Sequence, residues 1–574
     1  MVYERNFKLL NKNFNKLFFP TLMASIAGNF AVIIDAFFIS LFMGPMFLSV
    51  VQSVEPLLAF VNVIYWLIGL GGSIVCTSTK AVFDDKKANE IFTVSMIVTL
   101  GLVLCLMLLC YAFPQFFMDL LCDSSQIEPL VLQYFYILIP GMLFLSYKVA
   151  LAYFVKTDGF IKLQFYAFLI SNLTNIVLDV VLMNYFNMGI SGAAFATTLG
   201  ALVSSIFITQ YFFSSKRTLK FVKVKLSKVK GYLVDISKSG FSIASIPLYI
   251  SIKLLFLNSL VTVLLGDLGL SALNMCQNTL FIVEIFILGT AQSLLPIIAV
   301  YDKEEDYNGV KYVVNRSLKI VLAFGIFFTL LFVLFPQIVL FIFSVNDPEH
   351  IPTVLHVIRI FSLCTLGFSI NYMYLFYAQS VEFNKLANII ILLEGLILPV
   401  GLAYVLTYFF GADGFWFSFL ASELLTLLFI FAYSRYMERK SKGKYSGFFL
   451  DKHNEDKRVF EFTIEGNEED AINLSHEVKG FLSDSELADN VSLALEEIVL
   501  YILDINEKVD LIDIIIREKN DCMIISIKNS GISYDPNKVD ILKSENIRIL
   551  REISDDIEYS QILGLNNTVI TINN

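Results

Sequence analysis

Long apolar runs recur along most of this chain, and they limit what it can fold into. A helix that crosses the hydrocarbon core of a bilayer needs about 20 mostly apolar residues. Twelve such runs lie at 18–43, 49–74, 91–113, 129–154, 162–186, 189–214, 240–264, 269–299, 316–344, 352–380, 386–410 and 413–436. Of the 574 residues, 56% are hydrophobic and only 16% charged, which excludes an ordinary soluble protein of this length. The first run follows charges that extend to Lys16 and has no clear cleavage site, so it reads as a span and not as a removable signal.

Charge tests the span count, because connections on the cytoplasmic side are enriched in Lys and Arg. Arg5, Lys8, Lys12 and Lys16 precede the first run, and Lys80, Lys86 and Lys87 follow the second. "SSKRTLKFVKVKLSKVKGYLVDISKSG" follows the sixth and "RYMERKSKGK" the twelfth. The alternate connections "FPQFFMDLLCDSSQIEP", "NMG", "LGDLG" and "SVNDPEH" contain no Lys or Arg. This alternation predicts twelve spans in the cell membrane with both termini cytoplasmic.

The basic connection at 215–238 splits the spans six and six. "YFNMGISGAAFATTLG" (185–200) resembles "YFFGADGFWFSFLAS" (408–422), and "KAVFDDKKANEIF" (80–92) resembles "AVYDKEEDYNGVKYV" (299–313). The expected architecture is therefore an all-α polytopic bundle of two six-helix lobes, 1–214 and 239–437, related by a parallel pseudo-two-fold. A linker at 438–455 leads to a further domain at 456–574. Charge separates that domain from the rest: residues 1–450 hold 30 basic and 25 acidic side chains, residues 451–574 hold 12 and 27. Nothing in this balance suits nucleic acid. Five of the seven cysteines, Cys76, Cys105, Cys110, Cys276 and Cys364, are apolar filler within the runs, without a metal-binding spacing.

The informative residues are the polar ones inside apolar runs. "TNIVLDVVLM" (174–183) carries Asp179, with Asn175 one helical turn earlier on the same face. A carboxylate at bilayer depth costs about 2.5–3.5 kcal/mol on insertion scales, so it must face the protein interior. Glu284 and Glu394 lie deep in the second lobe, and Glu394 falls at the repeat position of Asn172. Glu55 and Glu423 read as near-interface residues. Gly69, Gly71 and Gly72 read as sites of close helix packing.

Residues 15–437 resemble the multidrug and toxic compound extrusion (MATE) transporters. The resemblance is carried by "IDAFFISLFMGP" in span 1, "KTDGFIK" after span 4, and "NIVLDVVLMNYFNMGISGAAFAT" across spans 5 and 6. It implies export of small organic, often cationic compounds in exchange for Na⁺ or H⁺. It also implies a cation site made of an Asp in span 1, an Asn and an Asp in span 5, and a Thr in span 6. Asp35, Asn175, Asp179 and Thr197 match those positions. Such an oxygen set suits Na⁺, and two close carboxyls can instead share a proton. Some family members use an acid in span 7, whereas span 7 here carries Lys253 and no acid. Glu284 and Glu394 are candidates for a second-lobe coupling or substrate site.

The C-terminal segment reads as a cytoplasmic α/β sandwich: a strand at "RVFEFTIEG", two helices, strands "LIDIIIRE" and "CMIISIKNSG", a short helix and a closing hairpin. This order resembles the histidine-kinase-like ATPases, nearest the anti-sigma-factor kinases. Glu497, Asn529 and Gly531 fall where that family binds nucleotide. Asn529 replaces its adenine-binding Asp, Ser533 replaces its second Gly, and "LKSENIRIL" stands where its glycine-rich lid belongs. The expectation is a degenerate site that binds ATP weakly or not at all, hence no enzyme, no cofactor and a regulatory module. Its acidic surface suits a basic partner, either a cytoplasmic protein or the 215–238 connection. The leading expectation is an ion-coupled exporter. The alternatives are a membrane sensor that signals through the tail and a lipid-linked oligosaccharide flippase.

Overall fold

A computed structural model describes residues 3–43, 46–121, 127–342, 351–441, 443–453, 456–483, 485–506, 511–519, 522–540, 542 and 544–573. Hydrocarbon offers backbone groups no partners, so apolar sequence must satisfy its own peptide bonds, and helices do this locally. Helices accordingly dominate residues 8–440. Among the described residues, ten helical stretches are long and apolar enough to cross a bilayer, from Val50–Ala81 to Asn384–Lys440. Ahead of them runs Lys8–Met43, a further 36 helical residues. The last stretch is 57 residues long and leaves helical geometry at Gly411, where φ is 62° and ψ is −141°.

The backbone of the second half repeats that of the first. Asp84 caps the helix Asp85–Ala112 by accepting from the Lys87 N–H at 2.9 Å, and Asp306 caps Tyr307–Leu334 by accepting from Gly309 at 2.9 Å. A left-handed residue precedes each cap, Phe83 (φ 59°) and Glu305 (φ 58°). Gly189 (φ 56°, ψ −139°) makes the same turn as Gly411. Phe113 and Phe335, each followed by Pro-Gln, end their helices with ψ of 54°. π-helical turns fall at Val180–Tyr185 and again at Leu393–Ile397. The repeat read from sequence thus has a counterpart in backbone conformation.

Helices meet closely where glycine removes the side chain. A Cβ on Gly240 would lie 2.2 Å from the Leu67 carbonyl oxygen, and one on Gly72 would lie 2.1 Å from Ser95 Oγ.

The C-terminal segment forms a small α/β domain. A short hairpin, β1 (Tyr445–Ser446) with β2 (Asp451–Lys452), leads into it. Its sheet comprises β3 (Arg458–Glu465), β4 (Leu511–Glu518), β5 (Cys522–Asn529), β6 (Asp556–Ile562) and β7 (Leu565–Asn573). The order is β3-β4-β5-β7-β6, with every neighbouring pair antiparallel. Alternate residues of a strand face opposite sides. Ile512, Ile514 and Ile516 pack with the buried faces of the helices Glu468–Phe481 and Ala488–Asp504. Asp513 and Arg517 face the other way, yet they too are buried, at 1% and 6% exposure. Residues 3–5 extend the sheet beyond β3: Thr463 N–H donates to the Tyr3 carbonyl at 3.0 Å, and Arg5 N–H donates to that of Glu461 at 3.1 Å. Both ends of the membrane part therefore emerge on one face, here termed the terminal face.

Gly240→Val is expected to destabilise the purified protein by about 1–3 kcal/mol, the usual range for overpacking. A lowered thermal midpoint in detergent would report it. Gly231→Ala, where an added Cβ meets nothing within 4 Å, should leave the midpoint unchanged or raise it.

Candidate functional site

Asp179 ends the α-helix Ile161–Asp179, where the chain passes into the π-helical turn Val180–Tyr185. π turns interrupt the regular ladder and recur at functional sites. Asp179 is fully buried, at 0% exposure, and neither of its carboxylate oxygens has a hydrogen-bond partner. Asp35, on the helix Lys8–Met43, interacts with it, and Asp35 Oδ1 is likewise unpartnered. Asn175 Nδ2 donates to Thr197 Oγ1 at 3.3 Å. The four residues singled out from sequence thus come together as two pairs, a carboxyl pair and an amide–hydroxyl pair. Buried polar atoms are normally satisfied. A proton or a small hard cation is the kind of partner that oxygens of this type accept.

The second half holds a cavity of 250 Å³. Glu284 and Glu394 both line it, together with Lys253, Gln277, Tyr372 and Glu423. Tyr372 OH donates to Glu284 Oε1 at 3.1 Å, and Asn371 Nδ2 donates to Glu423 Oε2 at 2.7 Å. Glu394 sits in the π-helical turn that repeats the one beside Asp179. Glu423 is not a near-interface residue: it is 7% exposed and faces this cavity. The sequence held the signal, since Glu423 falls at the middle of the run 413–436.

A third cluster lies on the terminal face, and sequence reasoning missed it. The connection that includes residues 304–306 meets the outer face of the C-terminal sheet. Arg5 makes a two-pronged pair with Asp306 at 2.8 Å, and reaches Glu461 at 3.1 Å and Asp513 at 3.6 Å. Lys528 pairs with Glu304 at 2.6 Å and Arg517 with Glu305 at 2.8 Å. Asn567 Nδ2 donates to Glu304 at 2.6 Å. Burial alone would raise the Asp306 carboxyl, but Arg5 and Lys528 outweigh it and hold it well below the usual range. Burial would lower the Lys528 ammonium, but Glu304 and its neighbours outweigh that and raise it.

The same domain also touches the first half. At the β6–β7 turn, Leu563 N–H donates to the Thr157 carbonyl at 3.3 Å. A Cβ on Gly159 would lie 2.7 Å from the Gly564 nitrogen. The basic 215–238 connection uses Lys228 elsewhere: it pairs with Glu90 of the membrane part at 2.9 Å, and Tyr232 OH donates to the same carboxylate.

The residues expected at a degenerate nucleotide site are engaged internally. Asn529 is 0% exposed; its Oδ1 accepts from Gly531 N–H at 2.9 Å and from Asn566 Nδ2 at 3.0 Å. Glu497 accepts from Asn546 Nδ2 at 2.8 Å.

A bundle of apolar helices whose backbone repeats once, with ionisable groups buried at membrane depth in each half, is the build of a membrane transporter. The MatE family model matches residues 20–181 and 245–405, one match in each half and together more than half of the chain, and the chain belongs to this family of multidrug efflux transporters. The multidrug export protein MepA of Staphylococcus saprophyticus is 22% identical over 414 residues, 71% of this chain and 90% of MepA. That of Staphylococcus haemolyticus is 23% identical over 412 residues, 70% and 88% respectively. A multidrug resistance MATE transporter solved in an outward-facing conformation shares the fold with a TM-score of 0.69 at 19% identity, over 75% of this chain and 96% of its own. A MOP superfamily transporter from Pyrococcus furiosus, described as having a binding pocket of reversed polarity, superimposes at 0.68 and 19% identity, over 76% and 97%.

The terminal-face cluster has a defined pH dependence. The lowered Asp306 carboxyl stabilises docking above the unfolded carboxylate value of about 3.9, and that contribution is lost only as pH falls below it. The raised Lys528 ammonium contributes below about 10.4, and its contribution is lost only as pH rises further. Burial raises the Glu304 and Asp513 carboxyls of the same cluster, so ionising them opposes docking, and hydrogen-exchange protection of β4 should fall as pH rises from about 5 to about 9. Asp306→Ala removes the two-pronged partner of Arg5 but leaves it Glu461 and Asp513, and should weaken docking by about 1–3 kcal/mol, exposing β4 to exchange.

Proposed function

We propose that this protein is a secondary exporter. It moves small organic, often cationic compounds out across the cell membrane in exchange for H⁺ or Na⁺. The observation that carries this reading is the pair of half-buried Asp35 and fully buried Asp179 within the apolar helices, with three carboxylate oxygens buried and unpartnered. Two adjacent carboxyls cannot both ionise cheaply, so the pair takes a proton or a cation. A site that accepts either ion, and changes charge as it does so, can couple ion entry to cargo release.

The reading includes twelve spans in two lobes. Lys8–Met43 adds one crossing to the ten long stretches. The 57-residue stretch Asn384–Lys440 would be about 85 Å long if straight, against about 30 Å of hydrocarbon, so its break at Gly411 makes it two. The basic connections belong to the terminal face, which puts both termini in the cytoplasm.

The C-terminal domain is a regulatory module in this reading, not an ATPase. Asn529 and Glu497 already have protein partners, as set out above. The domain holds the second half through buried ion pairs and the first half through the Leu563–Gly564 turn. A rocking transporter must separate its halves on this face before cargo can enter. A domain that grips both halves opposes that separation, and a partner that loosens it promotes opening.

Asp179→Asn tests the coupling site. Proteoliposomes carrying the variant should lose organic-cation uptake driven by an H⁺ or Na⁺ gradient by at least about 100-fold, the scale of losing an essential charged group. The variant should be recovered in normal amounts. Gradient-driven uptake at the wild-type rate would refute the assignment.

A further inference from the structure

We propose that the second-half cavity binds a zwitterion, with Lys253 and Gln277 holding its anionic end and Glu394 its cationic end. This rests on the exporter reading and narrows the cargo from organic cations at large to compounds that carry both signs.

The key group is Lys253. It shares the cavity with Glu284, Glu394 and Glu423, and all three acids act on it electrostatically. A lysine placed there to neutralise them would form an ion pair with one. Among the described residues it forms none. Glu284 and Glu423 take neutral donors instead, Tyr372 OH at 3.1 Å and Asn371 Nδ2 at 2.7 Å. Two of the three acids therefore each have a neutral donor in place of the lysine, and the ammonium remains open to the cavity.

Two further groups are open as well. Gln277 Nε2 is a buried amide donor without a partner. Glu394 is 5% exposed, and its Oε2 is a buried acceptor without a partner. Ser422 Oγ, on the same cavity wall, is also buried without a partner, so the unmet demand is two donors, one of them charged, one anionic acceptor and a hydroxyl that can serve either way. A carboxylate, which accepts from several donors at once, answers the first, and an ammonium answers the second. A single cation would leave Lys253 and Gln277 unmet, and a single anion would leave Glu394 unmet.

A metal ion fits less well. Among the described residues no three His, Cys, Asp or Glu side chains converge as a metal site, so these acids ring the cavity and do not meet at a point. The 250 Å³ volume lies below the roughly 300–1,000 Å³ of sites for drug-sized ligands. It suits one ring with two short charged arms. Phe281 and Phe368 also line the cavity and offer apolar faces for that ring.

The test uses full-length purified protein and two probes, 4-(aminomethyl)benzoic acid and its methyl ester. Both carry the ammonium, and only the acid carries the carboxylate. Calorimetry should show the acid binding at least about tenfold tighter than the ester, the scale of a charge-assisted hydrogen bond. Lys253→Met should abolish that preference by weakening the acid while the ester holds or gains. Lys253→Arg, which keeps the charge, should retain the preference, and this separates ligand contact from a folding defect. Equal affinity for the two probes in the wild type, a Lys253→Met variant that shifts both in the same direction, or no binding of either would overturn the proposal. Ion-driven ethidium uptake by wild-type proteoliposomes reads the exporter function separately. Ethidium carried without acid preference sinks the zwitterion site alone, whereas ethidium not carried sinks the exporter reading.

Discussion

Two carboxyl groups, fully buried Asp179 and half-buried Asp35, interact where three of their four oxygens are buried without a protein donor. The cost of burying a charge in hydrocarbon is large unless something neutralises it. That cost organises the first half of the chain. It requires the two helices to present their polar residues to each other and not to lipid. It leaves Asn175 and Thr197 as the adjacent polar pair. It also places the π-helical turn, where the regular ladder loosens, next to the carboxylate. That chemistry is why the pair is proposed above as the coupling site.

The second half reuses the same backbone for different chemistry. The turns at Asp84 and Asp306, at Gly189 and Gly411, and at the two π-helical segments correspond in conformation. Their side chains diverge. The first half has a close pair of acids, whereas the second has separated acids around a cavity and one lysine. On the terminal face the divergence is put to use: Asp306 caps its helix as Asp84 does, and it also receives Arg5 of the N-terminal segment. A cap inherited from the repeat has become the anchor for the C-terminal domain.

Much of this was legible in the sequence, for physical reasons that apply residue by residue. Spans are visible because hydrocarbon admits almost no polar residues, and Asp179 stands out for the same reason. The strands of the C-terminal domain are visible in β-branched runs such as 511–518, where Ile512, Ile514 and Ile516 share one face and Asp513 and Arg517 flank Ile515 on the other. That alternation also misleads. Asp513 and Arg517 have the spacing of a solvent-facing side, but they are buried against the membrane part. Their partners, Arg5 and Glu305, are hundreds of residues away in sequence, and no local pattern encodes such a contact. Within the basic 215–238 connection, Lys228 pairs with Glu90 of the membrane part, another contact between residues far apart in sequence. Glu423 was placed at a membrane edge although it lies at the centre of its run.

The central claim is that the first-half carboxyl pair is shared between the coupling ion and the cargo cycle. Calorimetric titration of the full-length protein with an organic cation, repeated across pH and across Na⁺ concentration, tests it most directly. The account predicts that cargo affinity falls as protons or Na⁺ occupy the site, with a matching release of the bound ion on cargo binding. Cargo affinity independent of both pH and Na⁺, with no ion released, would contradict it.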